Sequence, residues 1–389
     1  MLPDIQLFLR PGIIELGWGH PDPALFPVAD LAAAAARALA EAGPQALAYG
    51  AEQGPGRLIE PLAAWLAQRE GRPVPAEQVL ITGGASQALD LLCTLWTRPG
   101  DTVLVEAPVY HLALRILRDH GLRLVPVAGD AHGLCPDALE AVLARESQPP
   151  RFLYTVPTFS NPSGATLPLE RRQAVVSMAA AQGVPIVEDD VYRFLWFDEP
   201  PPPSLYHLAP AGAVIHLGSF SKILAPGLRL GWLVAAPEVV KRCVRSGLLD
   251  SGGGVSHFAA HVVAAYLEQG LLDGHIERLR AAYARRRDVL TAALAHYLPE
   301  GCHWERPRGG FFAWVALPAG IDSAGLLPAA EAAGVSYVPG ARFYVDGGGG
   351  RYLRLSFSLL PTDELEEGVR RLAEVVERAL KGVREERSP

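Results

Sequence analysis

The segment GSFSKILAPGLRLGW, Gly218 to Trp232, joins two short apolar runs, Val214–Leu217 and Leu230–Ala235, and carries the most informative lysine of the chain. Of 35 basic residues only three are lysines: Lys222, Lys241 and Lys381. Arginine stays protonated, whereas a lysine amine loses its proton readily enough to form a Schiff base with a carbonyl compound. A composition that so favours arginine keeps a lysine where lysine chemistry is needed. Lys241 and Lys381 sit in polar, helical contexts and read as surface charges. Lys222 lies just past an apolar strand among Ser219, Ser221, Gly227 and Arg229. Small hydroxyl residues and a guanidinium around one amine make a phosphate cradle beside a nucleophile. The plainer reading is a loop lysine in an ion pair.

Outward from this segment the same theme repeats. Val79–Thr82, Thr102–Glu106, Arg123–Val127, Arg151–Val156 and Pro185–Glu188 are short apolar runs bounded by Gly, Pro or Asp. Helical spacing separates several of them, from Ser86 to Trp96 and from His111 to His120. Near-continuous apolar runs suit strands buried on both faces, so the expected fold is α/β with a mostly parallel central sheet flanked by helices. The last hundred residues read as a smaller α+β domain. It has a long helix from Leu271 to His296, strands at Gly310–Leu317, Ser336–Val338 and Tyr352–Ser358, and a terminal helix from Thr362 to Lys381. The amphipathic stretch Ala29–Ala42 is expected to pack with it, so both chain ends build the small domain. The division is 1–44 (arm and part of the small domain), 45–285 (large domain) and 286–389 (small domain). The run Arg285-Arg286-Arg287 reads as a solvated helix face. Glu199–Ser204 and Asp346–Gly350 read as loops, and the tail Arg384–Pro389 as frayed.

Composition excludes several classes. The 389 residues carry a net charge of −7 without a basic tract, which disfavours nucleic-acid binding. No apolar stretch nears the roughly 18 residues of a membrane span. The start, MLPDIQLFLRPG, lacks the basic and apolar regions of an export signal. Cys93, Cys135, Cys243 and Cys302 are scattered singly and read as reduced thiols of a cytoplasmic protein. No C-x-x-C, H-E-x-x-H, Walker A or strand-borne G-x-G-x-x-G is present, so no metal is expected.

The Lys222 segment, with stretches that share its order and spacing, resembles the fold-type I pyridoxal-5′-phosphate enzymes. The closest likeness is to class I/II aminotransferases and their 2-aminoadipate/aromatic branch, from about Arg10 to Leu380. The resemblance implies that Lys222 carries pyridoxal phosphate. In ITGGASQALDLL it places Gly84, Ala85 and Ser86 on the cofactor phosphate, joined by Ser219, Ser221 and Arg229; a helix N-terminus suits an anion. In VEAPVYH it makes Tyr110 the ring-stacking aromatic. In VPTFSNPSG it puts Asn161 on the phenolic oxygen and near the substrate. In VEDDVY it makes Asp189 the partner of the pyridine nitrogen and Tyr192 a further phenolic-oxygen ligand, with Asp190 as competitor or helix cap. In RYLRLSFS it gives Arg354 the substrate α-carboxylate, with Arg351 as the near alternative. Tyr49, in LAYGAEQGPGRL, is implied to reach the phosphate of a neighbouring subunit, which makes a homodimer.

The loop LGWGHPDPALFP resembles the family's substrate-side loop, with Gly19 and Trp18 on the substrate. Trp18 and His20 stand where small or aliphatic residues are more usual in that branch. The arginines that other members use for a distal carboxylate have no obvious counterpart, which argues against a strict dicarboxylate preference. The implied activity is ping-pong transfer of an amino group from an L-amino acid (aromatic, aliphatic or 2-aminoadipate-like) to a 2-oxo acid such as 2-oxoglutarate. The alternatives are a C–S lyase or decarboxylase on the same scaffold, and a ligand-sensing module. The chain begins at the arm loop and is acidic, which tells against the module.

Overall fold

The computed structural model describes residues 10–386, with side chains to 382. Residues 1–9, on which the export-signal reading rests, and residues 387–389 of the tail lie outside the described residues.

Eight strands form the large sheet, in the spatial order Val79–Thr82, Gly231–Val234, Val214–Ser219, Ile186–Asp189, Leu153–Thr155, Thr102–Ala107, Arg123–Asp130 and Gly133–Leu134. Gly231–Val234 runs antiparallel to both its neighbours, and Gly133–Leu134 closes a hairpin at the edge; the other pairings are parallel. Central strands such as Val214–Ser219 are buried along their whole length. Their two faces feed separate apolar clusters, one around Trp232, Phe220 and Leu62, the other around Leu217, Val105 and Leu89. Helices on both faces supply the cover that a sheet apolar on both sides demands. Gly218 is required by packing: a Cβ there would lie 2.0 Å from the Trp232 indole.

A second, antiparallel sheet joins His303–Trp304, Phe312–Ala316, Tyr352–Ser356 and Val338–Pro339. The helices Leu271–Tyr297 and Thr362–Glu386 pack together beside it. The arm enters through Ile14–Glu15, which pairs in parallel with Val335–Ser336. The run expected as one strand, Ser336–Val338, is therefore split between two sheets at Tyr337.

Three expectations are corrected. The helix Val28–Ala42 packs on His257–Glu268, a helix of the segment assigned to the large domain, and not on the small sheet. An apolar stripe specifies a buried face but not its partner. The arginine run is not a solvated face: Arg285 is exposed, but Arg286 pairs with Asp22 and bonds Ser358 O at 2.7 Å. Arg287 is 2% exposed and donates to Pro307 O at 2.7 Å and Asp198 at 3.0 Å. Consecutive helical residues point about 100° apart, so a run of three cannot share a face. The last helix continues to Glu386, through the start of the tail expected to fray. Among the described residues no helix is long and apolar enough to cross a membrane.

Candidate active site

Parallel strands deliver their carboxyl ends to one edge of the sheet, where ligand crevices of α/β folds form. Thr82, Ala107, Thr155, Asp189 and Ser219 end their strands there. Above them lies a cavity of about 610 Å3, closed on the far side by Phe312 and Arg354 of the small sheet.

At one end Gly84 precedes the helix Ala85–Trp96, whose first N–H groups have no helical acceptor. Gly84 has φ +93° and ψ 170°, a conformation open essentially to glycine alone. Gly84, Ala85, Ser86, Ser219, Ser221 and Arg229 all line this end. The Arg229 guanidinium lies against the turn, donating to Gly83 O at 3.1 Å, and a Cβ on Gly84 would come within 3.1 Å of its Nη2. Two hydroxyls, a guanidinium and a helix N-terminus are an anion cradle.

Lys222 projects from the turn after Val214–Ser219, closed by Phe220 N to Leu230 O at 3.1 Å. Its Nζ donates to Gly19 O at 3.1 Å and lies 5.4 Å from the Phe311 ring and 5.9 Å from the Tyr192 ring. Burial, seconded by the charges of Arg354 and Arg229 and opposed by Asp189, lowers this amine to about 8. A fraction of it is therefore a free nucleophile near neutrality.

Asp189 lines the cavity; Asp190 turns to the other face and pairs with Arg193 at 3.4 Å. Strand alternation separates the two neighbours. Tyr154 Oη donates to Asp189 Oδ2 at 2.6 Å, and the buried Oδ1 has no partner. Burial pushes Asp189 up to about 6, against the hydrogen bond from Tyr154.

Tyr110, Asn161 and Tyr192 line the same cavity. Arg354 is 4% exposed; it donates to Asn161 Oδ1 at 2.7 Å and Gly17 O at 2.6 Å, while its Nε has no partner. Burial lowers its guanidinium to about 10. Arg351, the near alternative, instead donates to Leu317 O at 2.9 Å.

Gly19 and His20 line the cavity, and Trp18 does not; its ring lies 5.7 Å from that of His20. Tyr49 also stands apart, 90% exposed beside Gly252. Two residues that hold the site escaped the sequence reading. One is Tyr154. The other is Arg172, fully buried, which donates to Leu167 O at 2.7 Å and Pro157 O at 2.8 Å and so clamps the loop that carries Asn161. No short motif marks either residue; the only signal is a polar group in an apolar setting, which needs a partner.

The cavity thus offers an anion cradle, a lysine amine of lowered pKa, a buried carboxylate with a free oxygen, and a guanidinium with an unpaired nitrogen. These are complements of a phosphate, an aldehyde, a protonated ring nitrogen and a substrate carboxylate, so the residues fit pyridoxal phosphate with an amino acid. The fold and site define a pyridoxal-phosphate-dependent aminotransferase of fold type I. Residues 11–372 match the family described as aminotransferase class I and II, and the chain belongs to it.

Two curated relatives are similar along nearly the whole chain. The 2-aminoadipate transaminase of Thermus thermophilus is 41% identical over 97% of this chain and 93% of its own. The aromatic-amino-acid aminotransferase 1 of Thermococcus litoralis is 35% identical over 97% of this chain and 91% of its own. Among solved structures, the α-aminoadipate aminotransferase LysN of Thermus thermophilus, complexed with N-(5′-phosphopyridoxyl)-L-leucine, superposes with a TM-score of 0.87 at 38% identity, over 95% of this chain and 94% of that one. The chain is accordingly an enzyme that transfers an amino group between an amino acid and an oxo acid with pyridoxal phosphate.

Proposed function

We propose that the enzyme accepts aromatic, aliphatic and 2-aminoadipate-like L-amino acids as donors and 2-oxoglutarate as acceptor, with Lys222, Asp189 and Arg354 as its working groups. The observation that carries this reading is their convergence: the Lys222 amine, the free Asp189 oxygen and the Arg354 guanidinium line one cavity. Leu112, Val156 and Phe312 give that cavity apolar walls. Asp189 is the one acidic side chain among the described lining residues, so a second ammonium on the donor finds no counter-charge. The names of the relatives agree with this range.

The bound cofactor supplies an electron sink for the carbanion at the substrate Cα. Gly84, Ala85, Ser86, Ser219, Ser221 and Arg229 would hold its phosphate. Asp189 Oδ1 would give the ring nitrogen a negative partner and keep it protonated. Tyr110 would cover the ring, and Asn161 and Tyr192 would hold its phenolic oxygen. Arg354 grips the α-carboxylate, exchanging its present backbone acceptor for two carboxylate oxygens. Gly19 would border the substrate, and Trp18, outside the cavity, would back it through the His20 ring. Lys222 Nζ would take the substrate Cα proton as base and hold it for return as acid.

We further infer a cytoplasmic homodimer that shares its sites, with a large domain at 45–285 and a small domain at 286–389, while the helix Val28–Ala42 of the arm lies on the large-domain helix His257–Glu268. The exposed Leu47, Tyr49 and Leu248 belong to two segments, each with a short helix, joined by Gly50 N to Gly252 O at 3.0 Å, and exposed apolar side chains so placed suit a partner subunit. The four cysteines are unpaired, as a reducing compartment requires. Mixing Tyr49→Ala with Lys222→Ala subunits tests the sharing. If Tyr49 serves the neighbour, one site of each mixed dimer is intact, and activity exceeds the mean of the two variants. The donor range is tested by giving the loaded protein a panel of L-amino acids without acceptor. Stoichiometric release of the 2-oxo acid identifies donors; ammonia release would make it a lyase.

A further inference from the structure

We propose that Tyr154 is the positioning residue of Asp189, fixing its carboxylate through Oδ2 so that Oδ1 stays free and ionised for the pyridine nitrogen of the cofactor. The proposal rests on the cofactor reading above and adds to it a residue of the chain's own core. Tyr154 sits in the strand Leu153–Thr155, in register with Val187 of Ile186–Asp189. Alternation puts Tyr154, Val187 and Asp189 on one face of the sheet. The tyrosine is 0% exposed among Val103, Val105, Val187 and Leu217. Phenylalanine would fill that space equally well, so packing does not account for the hydroxyl. A buried hydroxyl costs free energy unless bonded, and here it donates to Asp189 Oδ2 at 2.6 Å.

The chemistry has one direction. Burial and the adjacent carboxylate hold the Tyr154 phenol well above 10, so it remains a donor at every working pH. A donor to the charged form favours that form. Several other groups face Asp189. Asp190 raises its pKa, whereas the Val191 N–H and His216 lower it. Lys222 faces it across the cavity, and Tyr110 and Tyr192 stand beside it. His216 belongs to the opposite face, where its Nδ1 lies 3.2 Å from Glu188 Oε2. Glu188 also accepts from Leu205 N at 2.8 Å and Tyr206 N at 2.9 Å, so it engages His216 and the backbone on that face. On the cavity face Tyr154 donates the hydrogen bond that holds Asp189 Oδ2 in one orientation.

The test is a double-mutant cycle on cofactor affinity. Wild type, Tyr154→Phe, Asp189→Asn and the double variant are stripped of cofactor. Each is then titrated with pyridoxal phosphate across a pH series, with thermal unfolding of each apoprotein recorded as a folding control. Tyr154→Phe is expected to weaken affinity about tenfold or more at neutral pH, the size of a hydrogen bond to a charged acceptor. The pH below which affinity falls should move upward, because Asp189 then protonates more easily. In the Asp189→Asn background the same change should matter less than about twofold. An equal loss in that background would show that Tyr154 acts by packing and would overturn the proposal, as would a Tyr154→Phe protein with wild-type affinity and pH profile. Failure of the wild type to bind pyridoxal phosphate would overturn the cofactor reading itself, and the proposal with it.

Discussion

Arg354 Nη1 donates to Asn161 Oδ1 at 2.7 Å, a bond that spans 193 residues of sequence and ties the small antiparallel sheet to a loop at the carboxyl edge of the large one. The guanidinium also lies 4.2 Å above the Phe312 ring, which fixes its plane. A planar fork held this way is ready for a carboxylate before one arrives, so little orientational freedom is lost on binding. With Arg354 in its proposed role, the same contact would make substrate recognition depend on how the two sheets sit together.

Arg354→Lys keeps the charge and loses the fork. Hydrogen bonds to charged partners contribute about 1.5–3 kcal/mol each, so losing both should cut kcat/KM for every α-amino acid by about 10²- to 10⁴-fold. The loss should appear mainly in the donor KM, while pyridoxal phosphate affinity stays near wild type. A variant with unchanged KM would place the α-carboxylate elsewhere.

Lys222 should show its lowered pKa in the kinetics of loading. Burial and the charges of Arg354 and Arg229 bring its amine to about 8. Only the unprotonated amine attacks an aldehyde, so the rate of pyridoxal phosphate capture by apoprotein should rise with pH through about 8 and then level. Stopped-flow absorbance reads this directly. Lys222→Ala should abolish covalent capture and reduce turnover by about 10²- to 10⁴-fold, the usual contribution of a positioned acid–base group. Full multiple-turnover activity in that variant would remove Lys222 from the mechanism.

Gly84→Ala probes the cradle. At φ +93° and ψ 170° an alanine is strained by about 1–3 kcal/mol, and its Cβ would press on Arg229 Nη2 at 3.1 Å. The expected result is weaker binding of pyridoxal phosphate with little change for pyridoxal, which lacks the phosphate. Equal losses for both ligands would mean that the turn supports the fold and not the anion.

Much of this site was legible because its residues sit in short stretches that end strands. Gly84, Asp189, Ser219 and Lys222 each follow an apolar run, and the sheet brings those ends together. Asp189 and Asp190 were harder, since adjacent carboxyls differ only in the face they take, which the strand's register decides. Tyr154 was invisible because a tyrosine within RFLYTVP also satisfies strand preference. Arg172 was invisible because its backbone acceptors, Leu167 and Pro157, are defined only by the loop it folds. The helix Val28–Ala42 was legible as amphipathic, and its partner His257–Glu268, some 215 residues on, was not.

Glu106 gives the fold its own pH signature. It is 2% exposed, on the sheet face opposite Tyr154, and accepts from Thr155 Oγ1 at 2.7 Å and Val156 N at 3.1 Å. Among the described residues no cation is bonded to it, and burial outweighs those hydrogen bonds and the charge of Arg172, pushing it from 4.5 to about 7. A carboxyl whose folded pKa lies above its unfolded value contributes stability that is complete below the unfolded value and is lost as pH rises through the folded one. Between about pH 4.5 and pH 7 this group should therefore make the protein less stable as pH increases, by up to about 3 kcal/mol over the interval. Glu106→Gln preserves an acceptor for Thr155 and Val156 and removes the charge. Chemical denaturation of both apoproteins across that range should show the variant with the flatter profile and the higher stability above pH 7. Parallel profiles would mean that Glu106 keeps its ordinary acidity.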